Sequence, residues 1–380
     1  MAGGTRVELT VQTVESESEL FGTRSEWEGL LQRSPSANVF SSFEWMESCW
    51  AFRPPGTRPF LLKLYAGGTL VGLVALRRRG GRGGPMVLEP IGLGGGWWAD
   101  YLDPLCASGY EEGVLRSALA CLEQRRDWDL FDWPELPSES PTAKCFGRVA
   151  SGKVVQAASS PCYTVELPAS WPEYLQRLSA NTRSTLERKT RKLERELGAF
   201  APVGSSGELG ETIAAMRSLQ DRRWSPGQRA EREHYFRFVA DLAPRLHGRG
   251  WLDLWALRAE GRLVSSILSF RFRQTVSFYL LAFDPDPRWS RYSVGLLAVA
   301  HALRQAIAER FRVFDLLRGD DAYKLRFAAH RRLNRRLQLA RKWPWQLYLE
   351  GRAALGRLKA AARGDRREEE SAEEREAAGG

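Results

Sequence analysis

A chain of 380 residues is longer than one hydrophobic core ordinarily serves, so two domains are expected, and 14 tryptophans with 17 phenylalanines supply apolar volume for both. No apolar run approaches the ~20 residues that cross a bilayer, and no basic leader with an apolar stretch and a cleavage site is visible, so a soluble cytoplasmic protein is expected rather than a membrane-spanning or secreted one. The formal charge is +10 although residues 363–380 hold four arginines against seven acids, and a body so basic favours anionic partners: a phosphate-bearing donor, a nucleotide sugar, nucleic acid or an acidic membrane surface.

In chain order, the first informative segment is "LYAGGTLVGLVAL" (64–76), which reads as a strand, a turn around Gly68 and a second strand. The following "RRRGGRGGP" (77–85) reads as a hairpin loop. In "GLGGGWWADYLDP" (92–104) the glycines lack the strand and helix context of a dinucleotide fingerprint. Trp97, Trp98 and Asp100 are instead candidates for a sugar site, because aromatic faces suit carbohydrate rings. Residues 112–125 place Val114, Leu115, Ala118, Leu119 and Leu122 on one helical face, and "WDLFDW" (128–133) follows as a strand. The small and polar run "RVASGKVVQAASSPCY" marks a boundary between about 150 and 165.

The second half opens with "SANTRSTLERKTRKLEREL" (179–197), a helix with Ser179 as its cap and Gly198 beyond its end. It continues with "LRAEGRLVSSILS" (257–269), again strand, turn and strand, now around Gly261. Then come "AFDPD" (282–286), a helical pattern over 294–309, and "FRVFDLL" (311–317). A final helix is expected around Trp343, Trp345, Leu347 and Tyr348, and the tail beyond about 363 has a disordered composition. Five cysteines and four histidines are scattered without metal-ligand spacing, so no metal is expected, and the odd cysteine count suits a reducing compartment.

The halves echo each other. The hairpin at 64–76 matches that at 257–269, "YLDPL" (101–105) matches "AFDPD", and "WDLFDW" matches "FRVFDLL". Asp103 and Asp132 lie 29 residues apart, and Asp284 and Asp315 lie 31 apart. A duplicated hairpin, strand, helix and strand unit is the economical reading. The fold class is therefore α/β (α+β), in two tandem domains. The expected divisions are 1–160, 161–345, and a terminal helix with a charged tail at 346–380.

The stretch 277–328, with "FDPD" ending a strand, "RYSVGLL" opening a helix and "FDLLRGDDAYK" after it, resembles the GNAT acyltransferase superfamily. Within it, the likeness is to the cellulose-biosynthesis or Fem-like branch, in which two GNAT-like halves occur in tandem. With the hairpins and the 179–197 helix, the resemblance covers most of 38–340. It implies that each half is a mixed sheet flanked by helices, with an acyl thioester donor, acetyl-CoA or another acyl-CoA, bound between splayed central strands and an envelope or exopolysaccharide sugar precursor as acceptor. It also implies Arg183, near the start of its helix, as a ligand for an anionic part of donor or acceptor. Related Fem-type enzymes accept aminoacyl-tRNA instead, and a non-catalytic binder of an anionic envelope precursor or membrane surface is a further alternative; a cytoplasmic location, with peripheral association at the inner membrane face, is the expectation for the protein.

Residue chemistry agrees at one point. A helix beginning near Ser293 presents unpaired N–H groups and the positive end of its dipole to a pyrophosphate. Arg291, Tyr292, Ser293 and Gly295 are the candidate donor-binding residues, although Arg291 and the small Ala298 depart from the superfamily's usual phosphate-loop spacing. Beyond the 313–318 strand, "RGDDAYK" sits where α/β sheets place ligands. Either Asp320 takes a proton from the acceptor, with Lys324 or Arg318 holding a phosphate or oxyanion and Tyr323 donating to the leaving thiolate, or these are helix-capping and ion-paired turn residues. The first half has "DWPELPSES" at this position, so the chemistry is expected in the second half. Asp315, matched by Asp132, is expected to serve the fold by accepting backbone or arginine hydrogen bonds.

Overall fold

The computed structural model describes residues 8–80, 83–93, 98–151, 154–223 and 226–356. Trp97 and the tail beyond 356 lie outside the described residues. The strands in chain order are β1 (Thr10–Val14), β2 (Arg58–Ala66), β3 (Thr69–Arg79), β4 (Val87–Pro90), β5 (Leu105–Cys106), β6 (Leu130–Pro137), β7 (Val155–Glu166), β8 (Ala201–Pro202), β9 (Leu252–Ala259), β10 (Arg262–Phe272), β11 (Thr275–Phe283), β12 (Val313–Arg318) and β13 (His330–Ala340). They join one sheet in the order β1-β2-β3-β4-β6-β13-β7-β12-β11-β10-β9-β8, with β5 beside β3.

Local chemistry explains the duplicated unit. The β2–β3 turn has both central residues at positive φ (Gly67 55°, Gly68 80°), and so has the β9–β10 turn (Glu260 53°, Gly261 70°). Two positive φ values give the turn a twist that matches the right-handed twist of the strands it joins. In β3, Gly72 has a second reason to be glycine, since a Cβ there would lie 2.3 Å from Val114 Cγ2 of the helix Glu111–Gln124. That helix crosses from β4 to β6, which pair in parallel through Val87 with Leu130. The helix Val294–Ala308 makes the same crossover from β11 to β12, parallel through Thr275 with Val313.

The segment expected to separate the halves is a strand. β7 holds the centre of the sheet, antiparallel to β12 on one side and β13 on the other, and the expected 160/161 division falls inside it. Its serines and alanines have weak strand propensity, but ladders on both sides and burial of Val155, Cys162, Tyr163 and Val165 override that preference. β13 then pairs with β6, so the chain's return stitches the two units into one surface.

The helix Ala180–Glu196 has Ser179 as its cap, the hydroxyl accepting from the Thr182 N–H, and buries only Leu186 and Leu193 beneath an otherwise polar surface. Helices Ser206–Arg223 and Arg229–Gly248 also belong to the second half, yet the latter packs on the first-half helix Phe43–Ala51, the Trp45 ring lying 5.3 Å from Phe238. Phe238 also stacks on Trp98 at 4.3 Å, which fixes the 98–104 loop against the second half. Residues 343–356 form a final helix. Among the described residues no helix is long and apolar enough to cross a membrane.

Candidate active site

The site exists because β11 and β12 part. Their parallel pairing ends at Ser277 with Asp315, while β11 runs on to Phe283 and β12 to Arg318. Both strands are irregular at the parting. Tyr279 is an extra residue with no cross-strand partner on β10, the kind of bulge that re-aims a side chain beside a site. On β12 the ladder to β7 breaks between Asp315 and Arg318, where Leu317 takes a φ of 55°. Asp315 Oδ1 holds that kink by accepting the Leu317 N–H at 2.8 Å and the Tyr101 hydroxyl at 2.9 Å. Its first-half counterpart Asp132 accepts from Arg336.

The turn after β12 is braced from within. Gly319 has a φ of 120°, and a Cβ there would come within 2.9 Å of the Asp321 carboxylate. The buried Lys324 ammonium donates to the carbonyl oxygens of Leu317 (3.3 Å), Arg318 (2.7 Å) and Gly319 (3.2 Å). Burial lowers its pKa, an effect that nearby Asp321 opposes. With its protons aimed at three carbonyls, Lys324 shapes the site rather than polarising a substrate.

Two cavities open in the wedge, of about 370 and 650 Å³, and both are lined by Tyr279, Asp321 and Tyr323. The smaller is closed by Trp98 and Asp100 from the first half, together with Tyr235, Arg318 and Lys324. Asp100 is 3% exposed, with Arg318 Nε 2.9 Å from its Oδ1. That approach is close enough for an ion pair but poorly aligned, and the oxygen has no hydrogen-bond partner. Desolvation pushes the Asp100 pKa up to about 7, Arg318 opposes the rise, and the Glu135 and Asp315 carboxylates add to it. Glu135 accepts hydrogen bonds from Ser159, Ser160 and Asn334 and lies 3.7 Å from Arg318. A buried carboxyl titrating near neutrality inside a cavity is suited to proton transfer.

The larger cavity meets the amino end of the helix Val294–Ala308, where Ser290, Ser293, Val294 and Gly295 line it. Ser293 is left-handed (φ 54°) and makes no side-chain cap bond, so the first helical N–H groups are not satisfied by its hydroxyl. Lys189 donates to the Ser293 Oγ at 2.5 Å, and its pKa is lowered by burial and by Arg188 and Lys192. Gly295 packs under Phe283, where a Cβ would meet the ring at 2.9 Å. The tight approach that demands glycine is therefore to this ring.

Of the residues singled out in the sequence, Trp98, Asp100, Arg318, Tyr323 and Lys324 meet at the smaller cavity, and Ser293, Gly295 and Tyr323 at the larger. Asp320 does not join them. The rotation at Gly319 leaves it exposed, accepting from the Tyr163 hydroxyl at 2.8 Å, while its neighbour Asp321 lines both cavities. Arg291 is exposed and donates to the Tyr292 hydroxyl at 2.7 Å, and Tyr292 is a buried packing residue that donates to Glu196. Arg183, half-buried on the first turn of its helix, lines neither cavity. Tyr235, Tyr279 and Glu135 carried no local sequence signal, since a bulge and a contact between halves bring them in.

The corresponding opening in the first half is filled. Among the described residues between β4, β6 and the 91–93 and 98–105 segments, about 40 Å³ remains, enclosed by Trp27, Phe40, Met46, Ile91, Leu102 and Trp133 among others.

Residues 180–325 match the acetyltransferase (GNAT) domain family. That span carries both sides of the wedge, the helix that meets the larger cavity and the turn braced by Lys324. The second half of the chain thus carries a GNAT-type acyltransferase domain. No curated protein matches it in sequence. Among solved structures, FemX superposes with a TM-score of 0.62 at 9% identity, covering 89% of this chain and all of its own. An L-PGS from Bacillus licheniformis superposes at 0.52 with 13% identity, covering 87% and 96%. A conserved protein of unknown function from Bacteroides thetaiotaomicron superposes at 0.55 with 11% identity, covering 87% and 100%. At such identities the likeness is one of fold, and the chemistry rests on this chain's own residues.

Proposed function

We propose that this acyltransferase moves an acyl group from an acyl-CoA thioester to an amine or hydroxyl of a sugar-containing envelope or exopolysaccharide precursor. The observation that carries the reading is the pair of cavities sharing Tyr279, Asp321 and Tyr323, one reaching a helix amino terminus and the other a buried carboxyl with a pKa near 7. The amino end of Val294–Ala308 and Lys189 suit the donor's pyrophosphate, and the splayed strands suit its extended arm. The bound thioester supplies the electrophilic carbonyl.

In this reading Asp100 takes the proton from the acceptor as it attacks, Arg318 pairs with that carboxylate, and the Tyr323 hydroxyl donates a hydrogen bond to the departing thiolate. Burial and Asp321 raise the Tyr323 pKa, so the hydroxyl stays protonated as that donor. Trp98 offers a ring face to a sugar. No covalent enzyme intermediate is required, because the acceptor attacks directly. The fold shared with FemX and the chain's basic charge favour a second reading, in which an aminoacyl-tRNA is the donor at the same cavities.

Calorimetric titration with acetyl-CoA and with CoA at moderate salt separates the two. Saturable one-site binding, weakened by Lys189→Ala, supports the thioester donor. Absence of binding at millimolar ligand, with salt-sensitive binding of tRNA, would reject it in favour of the second reading.

A further inference from the structure

The helix over 343–356 has two apolar faces, where a surface helix of a soluble fold needs one. Trp345, Leu349 and Ala353 recur every fourth residue and pack on Val87, Leu130 and Val155, and Leu349 is 1% exposed. The other face is open. Trp343 is 75% exposed, Leu347 58%, Leu355 59% and Tyr348 46%, and these four are half of the exposed large hydrophobic residues among those described. At 100° per residue they share one arc of about 140°. Met86, next to Val87 at the edge of the covered face, is also exposed.

Charge indicates what this face meets. Arg352 borders it and lies over the Tyr348 ring, Glu350 at the other edge accepts from Gln346, and Lys342, just before the helix, pairs with Asp129 at 2.7 Å. In the sequence Arg357, Lys359, Arg363, Arg366 and Arg367 follow, before the acidic run begins at Glu368. An apolar stripe with a tryptophan, a tyrosine and basic flanks is the pattern of a helix lying in a lipid interface. A second copy of the chain would bring these bases against one another, and like charges oppose such pairing. We propose that the open face of the 343–356 helix docks on an anionic lipid surface and holds the acyltransferase at a membrane. The inference is independent of the donor and acceptor assigned above.

The test is sedimentation of the full chain with phosphatidylcholine vesicles and with vesicles containing phosphatidylglycerol, whose negative surface potential attracts basic segments. The protein should partition onto the anionic vesicles and be released as salt is raised. The double variant Trp343→Ser/Leu347→Ser, exposed and so neutral to folding, should bind at least about tenfold more weakly. Circular dichroism on the same sample establishes that it is folded. Equal partitioning of variant and parent would overturn the proposal. So would a concentration-dependent dimer abolished by the same substitutions without vesicle binding, which assigns the face to a second copy. Binding kept by the double variant but lost on removal of residues 364–380 would assign it to the tail instead.

Discussion

Replacing Asp100 by asparagine tests the site on two independent readouts. The carboxyl's ordinary pKa of 3.8 is raised to about 7 by burial, with Glu135 and Asp315 adding to the rise and Arg318 opposing it. A base with that value is ionised only above neutrality, so transfer by the parent enzyme should rise with pH and level off past a midpoint near 7. Loss of a positioned general base costs on the order of 10²–10⁴ in rate, and Asp100→Asn should lose that amount together with the pH dependence. Stability moves the other way. A folded-state pKa above the unfolded one means that the native protein holds the proton longer. This residue's contribution is therefore fully present below pH 4 and lost as pH rises to 7. The difference of about three pK units corresponds to at most about 4 kcal/mol. From pH 4 to pH 8 the parent should lose up to that much stability relative to the variant, read from urea unfolding at each pH. Rates come from thiol release from acetyl-CoA in the presence of an amino-sugar acceptor. Asp320→Asn, on the exposed side of the turn, serves as control and should leave both readouts unchanged. A variant within threefold of the parent rate, or a parent pH profile flat from 5.5 to 8, would refute the assignment.

Three further substitutions probe the scaffold and the leaving group. Lys324→Met leaves the carbonyls of Leu317, Arg318 and Gly319 without their buried donor and should cost about 3 kcal/mol or more in urea unfolding; an unchanged midpoint would show that the turn holds itself. Gly72→Ala forces a methyl toward Val114 Cγ2 and should destabilise by about 1–3 kcal/mol, with partial recovery when Val114→Ala is added; no recovery would place the strain elsewhere. Tyr323→Phe should lower turnover by about 10²-fold while calorimetric affinity for CoA stays the same, and a loss confined to affinity would make Tyr323 a binding residue only.

The duplicated unit was legible because local patterns carry it. Each hairpin has its two turn residues with glycine second, and each crossover helix keeps its apolar face over about four turns. β7 was not legible, since a run of serine and alanine becomes a strand only when neighbours on both sides offer ladders. The site was legible in part. "RGDDAYK" does follow the wedge strand, but which aspartate faces the substrate depends on rotation at Gly319, and nothing local shows that Lys324 will be drawn into the turn's own carbonyls. Arg291 had the charge for a phosphate ligand, yet the buried Tyr292 hydroxyl captures it.

The relation between the halves follows from the same comparison. β6 and β12 each place a residue in the left-handed region shortly after the shared aspartate, Glu135 at 54° and Leu317 at 55°. The duplicated strands therefore keep the same kink but use it differently. In the second half the kink opens the wedge and sends Arg318 into it. In the first half the wedge is packed with aromatic and aliphatic side chains, and the kink turns Glu135 toward Arg318 across the sheet. Asp100 and Tyr101 reach the same place on a loop pinned by Trp98 against Phe238. The first half thus keeps little open space of its own among the described residues and supplies the acidic wall of its partner's cavity. The two units consequently have to fold as one sheet for the site to exist, which β7 and β13 ensure.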